Sequence, residues 1–441
     1  MHRAVPVLFL TPILFATSAY ATGFDLREFS PYSLGASYAG VAANGETAST
    51  TFFNPALLTE ANGFDVSLGA TGILTDSDGD YASTTSAGTP AGGNGKPNGF
   101  VTKTVIPPLA LRTRLSDKLA VGMTFTVPWG MRTKYDPDWA GRYYALKSEI
   151  QTRNATFAVA YKLLPELSIG GGFQVQYVKA YLSKAIDFGT VGYSYGMGTV
   201  PGQDDGFGTM TANDWGFGYT FGLTWKPTDR LTLGASYRSR IAHTVAGNER
   251  YAYDKAGVAD YLHTHVGLFE NSSVKAVIDT PSVATFSAKY VADERWTLLA
   301  TADWTGWYSF QSILAVSGNA VQPADYNAMN WKASWMGSLG AEYKLDDAWT
   351  LRAGTAYDAT PTHTQNRTPG IPDNSRIWLT FGATYRYSDA VAFSLAYCRM
   401  FGGHTDIDLK AADTGNAARG SLTGTGTLAV NLVGLQMDYR L

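Results

Sequence analysis

The chain has 441 residues, a formal net charge of −3 and 16% charged residues, together with 11 Trp, 26 Tyr, 21 Phe and 47 Gly. The slightly acidic balance argues against a nucleic-acid partner. Cys398 is the single cysteine, which excludes an intramolecular disulfide and a cysteine metal cluster. The charged fraction lies below the roughly 25% of a typical soluble protein. Low charge with many aromatic residues fits either a lipid-facing barrel or a large soluble all-β protein.

The first 21 residues have the layout of a secretory signal peptide. A short basic start, His2 and Arg3, precedes an apolar run over residues 4–16, and the small residues of Ala19-Tyr20-Ala21 follow. The run is too short to span a bilayer as a helix, which needs about 20 apolar residues. We therefore predict export with cleavage after Ala21, and a buried or interfacial helix is the alternative.

Residues 22–62 do not have a strand pattern. They are rich in Gly, Ala, Ser and Asn, with scattered Phe and Tyr, and the first strand is expected near Phe64. A barrel much wider than one of about eight strands has a lumen that the side chains of its own strands do not fill. If the rest of the chain forms such a barrel, this segment is the obvious hatch that plugs it.

Long segments with a period of two follow along residues 63–441. In residues 215–226 one face carries Trp215, Phe217, Tyr219, Phe221 and their successors, whereas the other face carries Gly and Thr. Residues 167–182, 331–345, 377–387 and 391–397 alternate in the same way. Neighbouring residues of a strand point to opposite faces. A tilted strand needs about 9–11 residues to cross a bilayer, so segments of this length favour membrane-spanning strands.

The connections between these segments fall into two length classes. Six are short turns with Asp, Ser or Pro, and seven are longer polar stretches, at about 75–104, 129–146, 183–212, 243–273, 309–330, 360–375 and 402–424. Thirteen connections join fourteen strands. Short periplasmic turns and long extracellular loops are typical of outer-membrane barrels. We therefore predict an all-β fold, a 14-stranded antiparallel transmembrane β-barrel over residues 63–441 with an N-terminal hatch.

Several short motifs stand in a fixed order along the chain. They are Gly23-Phe24-Asp25-Leu26-Arg27-Glu28-Phe29, residues 35–40, Asn54-Pro55-Ala56-Leu57, residues 213–218, Gln365-Asn366-Arg367, and Ile371-Pro372-Asp373 with Arg376. This ordered set resembles the FadL family of outer-membrane transporters for fatty acids and other hydrophobic compounds, over nearly the whole mature chain. The hatch motif of that family matches Asn54, Pro55 and Ala56.

The resemblance implies a plugged, monomeric barrel, which we expect to lie among outer-membrane lipid and lipopolysaccharide. We expect no cofactor and no metal. The ligand is caught outside, reaches an internal pocket that the N-terminus touches, and leaves sideways into the membrane by passive uptake. The exit is an inward break in the third strand, which matches Pro128 and Gly130 here. Proline cannot donate to a sheet ladder and glycine weakens a strand. The alternative is that Pro128 only ends the strand at a loop.

The same resemblance marks Phe24, Lys184 and Lys332 as substrate-binding residues. Lys184 has the parity of Gln174 and Gln176, so we expect it to face the lumen, and Lys332 has the parity of two inward serines. A cation in an apolar cavity favours a carboxylate. Salt bridges to hatch acids such as Glu28 or Glu46 are the alternative for both lysines. The substrate stays open between a long-chain fatty acid and a monoaromatic or other neutral hydrocarbon.

Other functional classes fit the sequence less well. A lipase or protease barrel needs a nucleophile with a histidine base in reach, but the histidines beyond His2 lie in or beside predicted loops and no Gly-x-Ser-x-Gly elbow occurs. A general porin would have charged ladders and no plug. Arg238 and Arg240 have inward parity, and we expect them to pair with hatch carboxylates. Asp76, Asp78 and Asp80 resemble the start of a calcium loop, but Ala87 replaces the required glutamate, so we expect a solvated acidic loop.

Overall fold

The computed structural model describes residues 23–441, so the predicted signal peptide and its cleavage site lie outside the described residues. Fourteen antiparallel strands form one closed sheet, and seven of these strands consist of two segments. The strands are β1 (Phe64–Thr84), β2 (Thr104–Ile106 and Leu109–Arg114), β3 (Leu119–Thr126 and Gly130–Lys134), β4 (Lys147–Leu164), β5 (Leu167–Asp187), β6 (Asp205–Thr228), β7 (Leu231–Arg238 and Thr244–Ala252), β8 (Ser272–Val277 and Val283–Val291), β9 (Trp296–Thr305 and Ser312–Ser317), β10 (Asp325–Ala328 and Ser334–Lys344), β11 (Trp349–Asp358), β12 (Arg376–Arg386), β13 (Val391–Gly402 and Thr405–Leu409) and β14 (Ser421–Arg440).

The barrel closes between its first and last strands. β1 pairs with β14 from Asp65 opposite Arg440 to Thr84 opposite Ser421. The closed ring leaves no open edge, which is the condition for a sheet in lipid, because every backbone polar group must find a partner there. The prediction of a 14-stranded barrel is confirmed. None of the helices in residues 23–441 has the length and hydropathy that a membrane-spanning helix needs.

The predicted alternation holds wherever the strands are regular. In β6, Trp215, Phe217 and Phe221 are 58–62% exposed on the outside, whereas Thr220 is 3% exposed on the inside. The predicted loop at 75–104 was too long, because β1 continues to Thr84 and β14 pairs with all of it. Asp76, Asp78 and Asp80 consequently lie exposed on a strand and do not form the expected acidic loop.

Residues 23–62 lie inside the barrel and are mostly buried. They contain α1 (Pro31–Leu34), where the side chain of Ser30 caps the first turn, and two 3-10 helices, Ala48–Phe52 and Pro55–Glu60. Two further helices, α2 (Phe188–Ser194) and α3 (Val258–Val266), lie in the long loops on the extracellular side. A 3-10 turn, Trp307–Ser309, interrupts β9.

The hatch motif fixes the plug directly to the wall. Asn54 caps the second 3-10 helix by accepting from the Ala56 N–H at 3.0 Å, and its amide donates to the Leu223 carbonyl of β6 at 3.0 Å. A Cβ atom at Gly222 would lie 2.8 Å from Pro55 Cδ and would overlap the Asn54 side chain. A Cβ atom at Gly170 would lie 2.5 Å from the carbonyl carbon of Pro55. Glycine at these wall positions therefore gives the hatch the space to approach.

Candidate functional site

The wall of the barrel has a gap where β3 is interrupted. β3 pairs with β2 as far as Phe125 opposite Leu109, and pairing returns only at the bridge between Val101 and Thr133. Pro128 lies in the interruption, and Gly130 begins the second segment, which pairs with β4. The strand thus resumes after Pro128, so this proline does not end the strand at a loop. A break in the β2–β3 ladder is present at the two residues that the sequence indicated.

The first residues of the hatch occupy the inner side of this break. The Leu26 N–H donates to the Pro128 carbonyl at 2.9 Å, and the Gly130 N–H donates to the Phe24 carbonyl at 2.8 Å. On its other side, the backbone of Trp129 bonds to Thr152 of β4, whose N–H donates to the Trp129 carbonyl at 3.0 Å. The hatch therefore adds a short antiparallel segment to the interrupted strand, and backbone groups freed by the break find partners there.

Phe24 lies in a cage of aromatic rings. Its ring centroid is 4.7 Å from Trp307, 5.2 Å from Phe310, 5.8 Å from Trp331 and 6.1 Å from Trp129, and all five side chains are buried. Three of these contacts have the edge-on geometry that aromatic pairs prefer. The four rings around Phe24 all lie in strand interruptions, those of β3, β9 and β10. The breaks in the wall therefore provide the binding place for the N-terminal segment.

The residue before Phe24 is held by a loop. Gly23 has a φ of +67°, and a Cβ atom there would lie 2.5 Å from the Trp331 ring. The Gly23 N–H donates to the carboxylate of Asp373, in the loop between β11 and β12, and Arg376 and Thr360 also donate to this carboxylate. Burial raises the pKa of Asp373 to about 6, against the opposing effect of Arg376. The Asp373 motif residue thus anchors the start of the hatch.

A cavity of about 420 Å³ lies above the cage, on the side of the long loops. Its residues and those of the cage belong to one continuous buried cluster: Met131 follows Trp129 by two positions, and Met329 precedes Trp331 by two. Binding cavities for small molecules typically measure roughly 300–1,000 Å³ and are mostly apolar with a few polar groups. The apolar lining includes Met131, Tyr144, Leu182, Ile313, Met329 and Ile371.

Lys184 reaches this cavity, as its parity predicted. Its Nζ atom donates to Asp325 Oδ2 at 2.8 Å, and Arg419 donates to the other oxygen of the same carboxylate. All three residues line the cavity. The partner of Lys184 is therefore an acid of β10 and not a hatch acid. Glu46 instead pairs with Arg440, at 3.1 Å.

The expected lumen position of Lys332 is wrong. Lys332 is exposed and does not line the cavity, whereas its neighbour Trp331 is buried against Phe24. The physical reason is the interruption of β10 between Ala328 and Ser334, where the strand leaves the sheet ladder and the alternation is lost. The parity of Ser334 and Ser338 cannot be extended through such a break. Lys332 makes no ion pair within residues 23–441.

Comparison with known proteins agrees with this architecture. The family model described as "Outer membrane protein transport protein (OMPP1/FadL/TodX)" matches residues 13–441. The chain belongs to this family. The long-chain fatty acid transport protein of Escherichia coli K12 is 26% identical over 416 residues, which cover 90% of this chain and 91% of that protein. Outer membrane protein P1 of Haemophilus influenzae is 27% identical and covers 97% of each chain.

Solved structures give the same result. A Pseudomonas aeruginosa FadL homologue superposes with a TM-score of 0.86 at 26% identity and covers 95% of this chain and 99% of that chain. The Ralstonia pickettii toluene transporter TbuX has the same fold, with a TM-score of 0.66 at 18% identity over 94% of this chain and 99% of that chain. This FadL-family chain is therefore an outer-membrane transport protein and not an enzyme.

Below the cage, the FadL-family hatch carries buried charges. Arg27 bonds to Asp25 at 3.1 Å and to Asp303 of β9, and Arg238 lies over the Phe52 ring at 4.6 Å, close enough to Asp25 to affect it electrostatically. Arg238 thus contacts the hatch through the Phe52 ring, and no ion pair joins it to a hatch carboxylate within residues 23–441. Arg240 was wrongly placed, because β7 is interrupted after Arg238. Arg240 is instead exposed and pairs with Asp279 at 3.0 Å.

Sequence reasoning missed several residues of the site. Trp307 was assigned no role and Trp331 was expected on the outward face of its strand, although both surround Phe24. Asp325 and Arg419 were treated as loop residues. The only local signal was the presence of two tryptophans beside Gly306 and Asn330, residues that favour a break in a strand.

Proposed function

We propose that this FadL-family barrel takes up long-chain fatty acids passively. The fatty acid enters the cavity between the long loops, its carboxylate binds Lys184 and Arg419, and its chain lies against the apolar lining. It then passes Phe24 and leaves sideways between β2 and β3. The observation that carries the proposal is the pair of cations, Lys184 and Arg419, which share one carboxylate at the edge of an apolar cavity.

The hydrogen-bonding capacity of Lys184 supports a ligand carboxylate at this position. An ammonium group has three N–H donors, and Asp325 takes one of them. The remaining donors face a cavity that is lined mainly by apolar side chains, where a charge-assisted hydrogen bond is roughly twice as strong as a neutral one. A fatty acid carboxylate can therefore bind beside Asp325, or replace it.

The underside of the hatch supports a sideways exit. There, Arg112 pairs with Asp65 at 2.7 Å and Lys226 pairs with Glu60 at 2.9 Å, and these residues line a polar pocket. To move downward, an apolar chain would have to pass this polar pocket and displace the buried Arg112–Asp65 pair, which is unfavourable. The gap beside β3 instead leads from the apolar cluster towards the membrane.

A neutral hydrocarbon is the second candidate, because the cavity carries more acids than its cations neutralise. Glu249, Asp187 and Asp325 line it, against Lys184 and Arg419. Glu249 accepts from Ser272 at 2.8 Å and from Ser317. An excess of negative charge disfavours a second carboxylate and leaves toluene-like ligands unaffected.

Binding of oleate and of toluene to detergent-folded protein distinguishes these ligands. We expect Lys184→Gln to weaken oleate binding about tenfold or more, since a hydrogen bond to a charged group is worth about 1.5–3 kcal/mol. The matched control is Lys332→Gln, an exposed lysine that should leave both ligands unchanged. Asp325→Asn should strengthen oleate binding, because it frees both cations. Toluene binding without oleate binding, or oleate binding that Lys184→Gln leaves intact, contradicts the fatty acid proposal.

A further inference from the structure

A group of basic side chains lies on the outer surface of the barrel beside the interruption of β3. We name it the outer-wall basic patch, and it consists of Arg132 and Lys134 on β3, Lys147 and Arg153 on β4, and Lys179 on β5. The strand register brings these residues together, since Lys134 stands opposite Lys147, and Lys179 stands opposite Gln151, midway between Glu149 and Arg153. Residues directly opposite on adjacent strands have Cβ atoms about 4.5–5.5 Å apart.

The outer-wall basic patch has a large uncompensated charge. Its one carboxylate, Glu149, contacts Lys147 at 2.6 Å and Arg132 at 3.8 Å. Within residues 23–441, the cations Lys134, Arg153 and Lys179 have no carboxylate partner, and all three are exposed. Five cations and one carboxylate leave a net charge of +4. Self-repulsion makes such a cluster unfavourable unless an anion lies against it.

The height of the patch on the barrel places it at the outer surface of the membrane. On the outward face of β4 and β5, Phe157 stands opposite Phe173. Four residues further towards the loops, a second row crosses β4, β5 and β6 and consists of Arg153, Tyr177 and Trp215. Trp and Tyr mark the boundary between hydrocarbon and headgroups. The rest of the patch lies on the loop side of this row, where a charged side chain costs far less than at the midplane of the bilayer.

We propose that the outer-wall basic patch binds the phosphate groups of lipid A, the membrane anchor of lipopolysaccharide in the outer leaflet. Guanidinium groups bind phosphate oxygens in a bidentate geometry and ammonium groups bind them as point charges. The patch has three unpaired cations, and the two phosphate groups of such a glycolipid carry at least as many negative charges. The bound headgroup lies directly above the interruption of β3, so one lipid molecule borders the gap on the membrane side.

The triple variant Lys134→Gln, Arg153→Gln and Lys179→Gln tests this proposal. It removes the unpaired cations and keeps the contacts of Glu149, so no buried charge loses a partner. Native mass spectrometry of the detergent-folded protein, in buffer without divalent cations, measures binding of bisphosphorylated lipid A. We expect a loss of about tenfold or more, an intermediate loss in Lys179→Gln alone, and weaker binding of lipid A without phosphates.

The matched control is Arg250→Gln with Lys275→Gln, two exposed cations on the loop-side segments of β7 and β8. This control should bind lipid A as the unmodified chain does, and all variants should keep the heat-modifiable mobility of a folded barrel in gel electrophoresis. Equal losses in the control and the triple variant would overturn the proposal. So would unchanged affinity of the triple variant, or phosphatidylglycerol that binds as tightly and depends on the same residues.

Discussion

The N–H of Gly130 donates to the carbonyl of Phe24 at 2.8 Å, so the hatch and the interrupted strand share one hydrogen-bond ladder. A second bond, from Leu26 to Pro128, fixes the direction of the segment. Each backbone hydrogen bond contributes about 0.5–1.5 kcal/mol net. These two bonds alone therefore hold the segment only weakly, and the burial of the Phe24 ring in its cage contributes most of the free energy that keeps it in place. When Phe24 leaves the cage, the inner side of the wall loses its cover at the same time.

Phe24→Ala should destabilise the protein and open the route below the cavity. Phe24 is fully buried, and truncation of a buried phenylalanine typically costs about 3–5 kcal/mol. We expect a lower unfolding temperature in detergent and faster release of bound ligand. Phe217→Ala is the control, because that ring is 62% exposed on the outside. Equal unfolding temperatures for the two variants would show that the cage contributes no packing energy.

Gly222→Ala should loosen the hatch. The added methyl group would overlap the Asn54 side chain and crowd Pro55, and overpacking of this kind costs about 1–3 kcal/mol. We expect a lower unfolding temperature and increased leakage of small polar solutes into liposomes that contain the variant. Gly337→Ala is the matched change, since no atom lies within 4 Å of a Cβ at that strand position. If both variants leak equally, the contact between the hatch motif and β6 does not seal the barrel.

Asp373 gives the protein a defined pH dependence. Burial raises its folded-state pKa to about 6, above the ordinary value of 3.8. A carboxyl group with a raised pKa contributes stability that is fully present below its unfolded-state pKa and is lost as the pH rises through about 6. The difference between the two values corresponds to about 3 kcal/mol.

Asp373→Asn removes this titration and serves as the reference. The unfolding temperature of the unmodified chain, relative to Asp373→Asn, should therefore fall between about pH 3 and pH 7, roughly one unit below the lower pKa and one unit above the higher one. Thermal unfolding of both proteins in detergent across this interval measures the difference. A difference that stays constant with pH would mean that Asp373 titrates alike in the folded and unfolded chains.

Regular strands explain why much of the fold was predictable. β5 runs without interruption from Leu167 to Asp187, so the parity of Gln174 correctly placed Lys184 in the lumen. The same argument failed for Lys332, because β10 is interrupted and Trp331 turns inward to Phe24. The sequence indicated the break in β3 through Pro128, whose missing N–H is a local property, but the breaks in β9 and β10 contain no proline.

The sequence by itself determined the number of strands, the faces of the uninterrupted strands and the order of short and long connections, because a period of two and the residues of a turn are local features of the chain. The tertiary structure alone decided which strands break and which side chains meet at the breaks. Trp129, Trp307 and Trp331 come from strands far apart in the sequence, and they turn inward because the buried ring of Phe24 offers them a packing partner. Contacts of this range leave no periodic signal, since they depend on the closed barrel and on the hatch inside it.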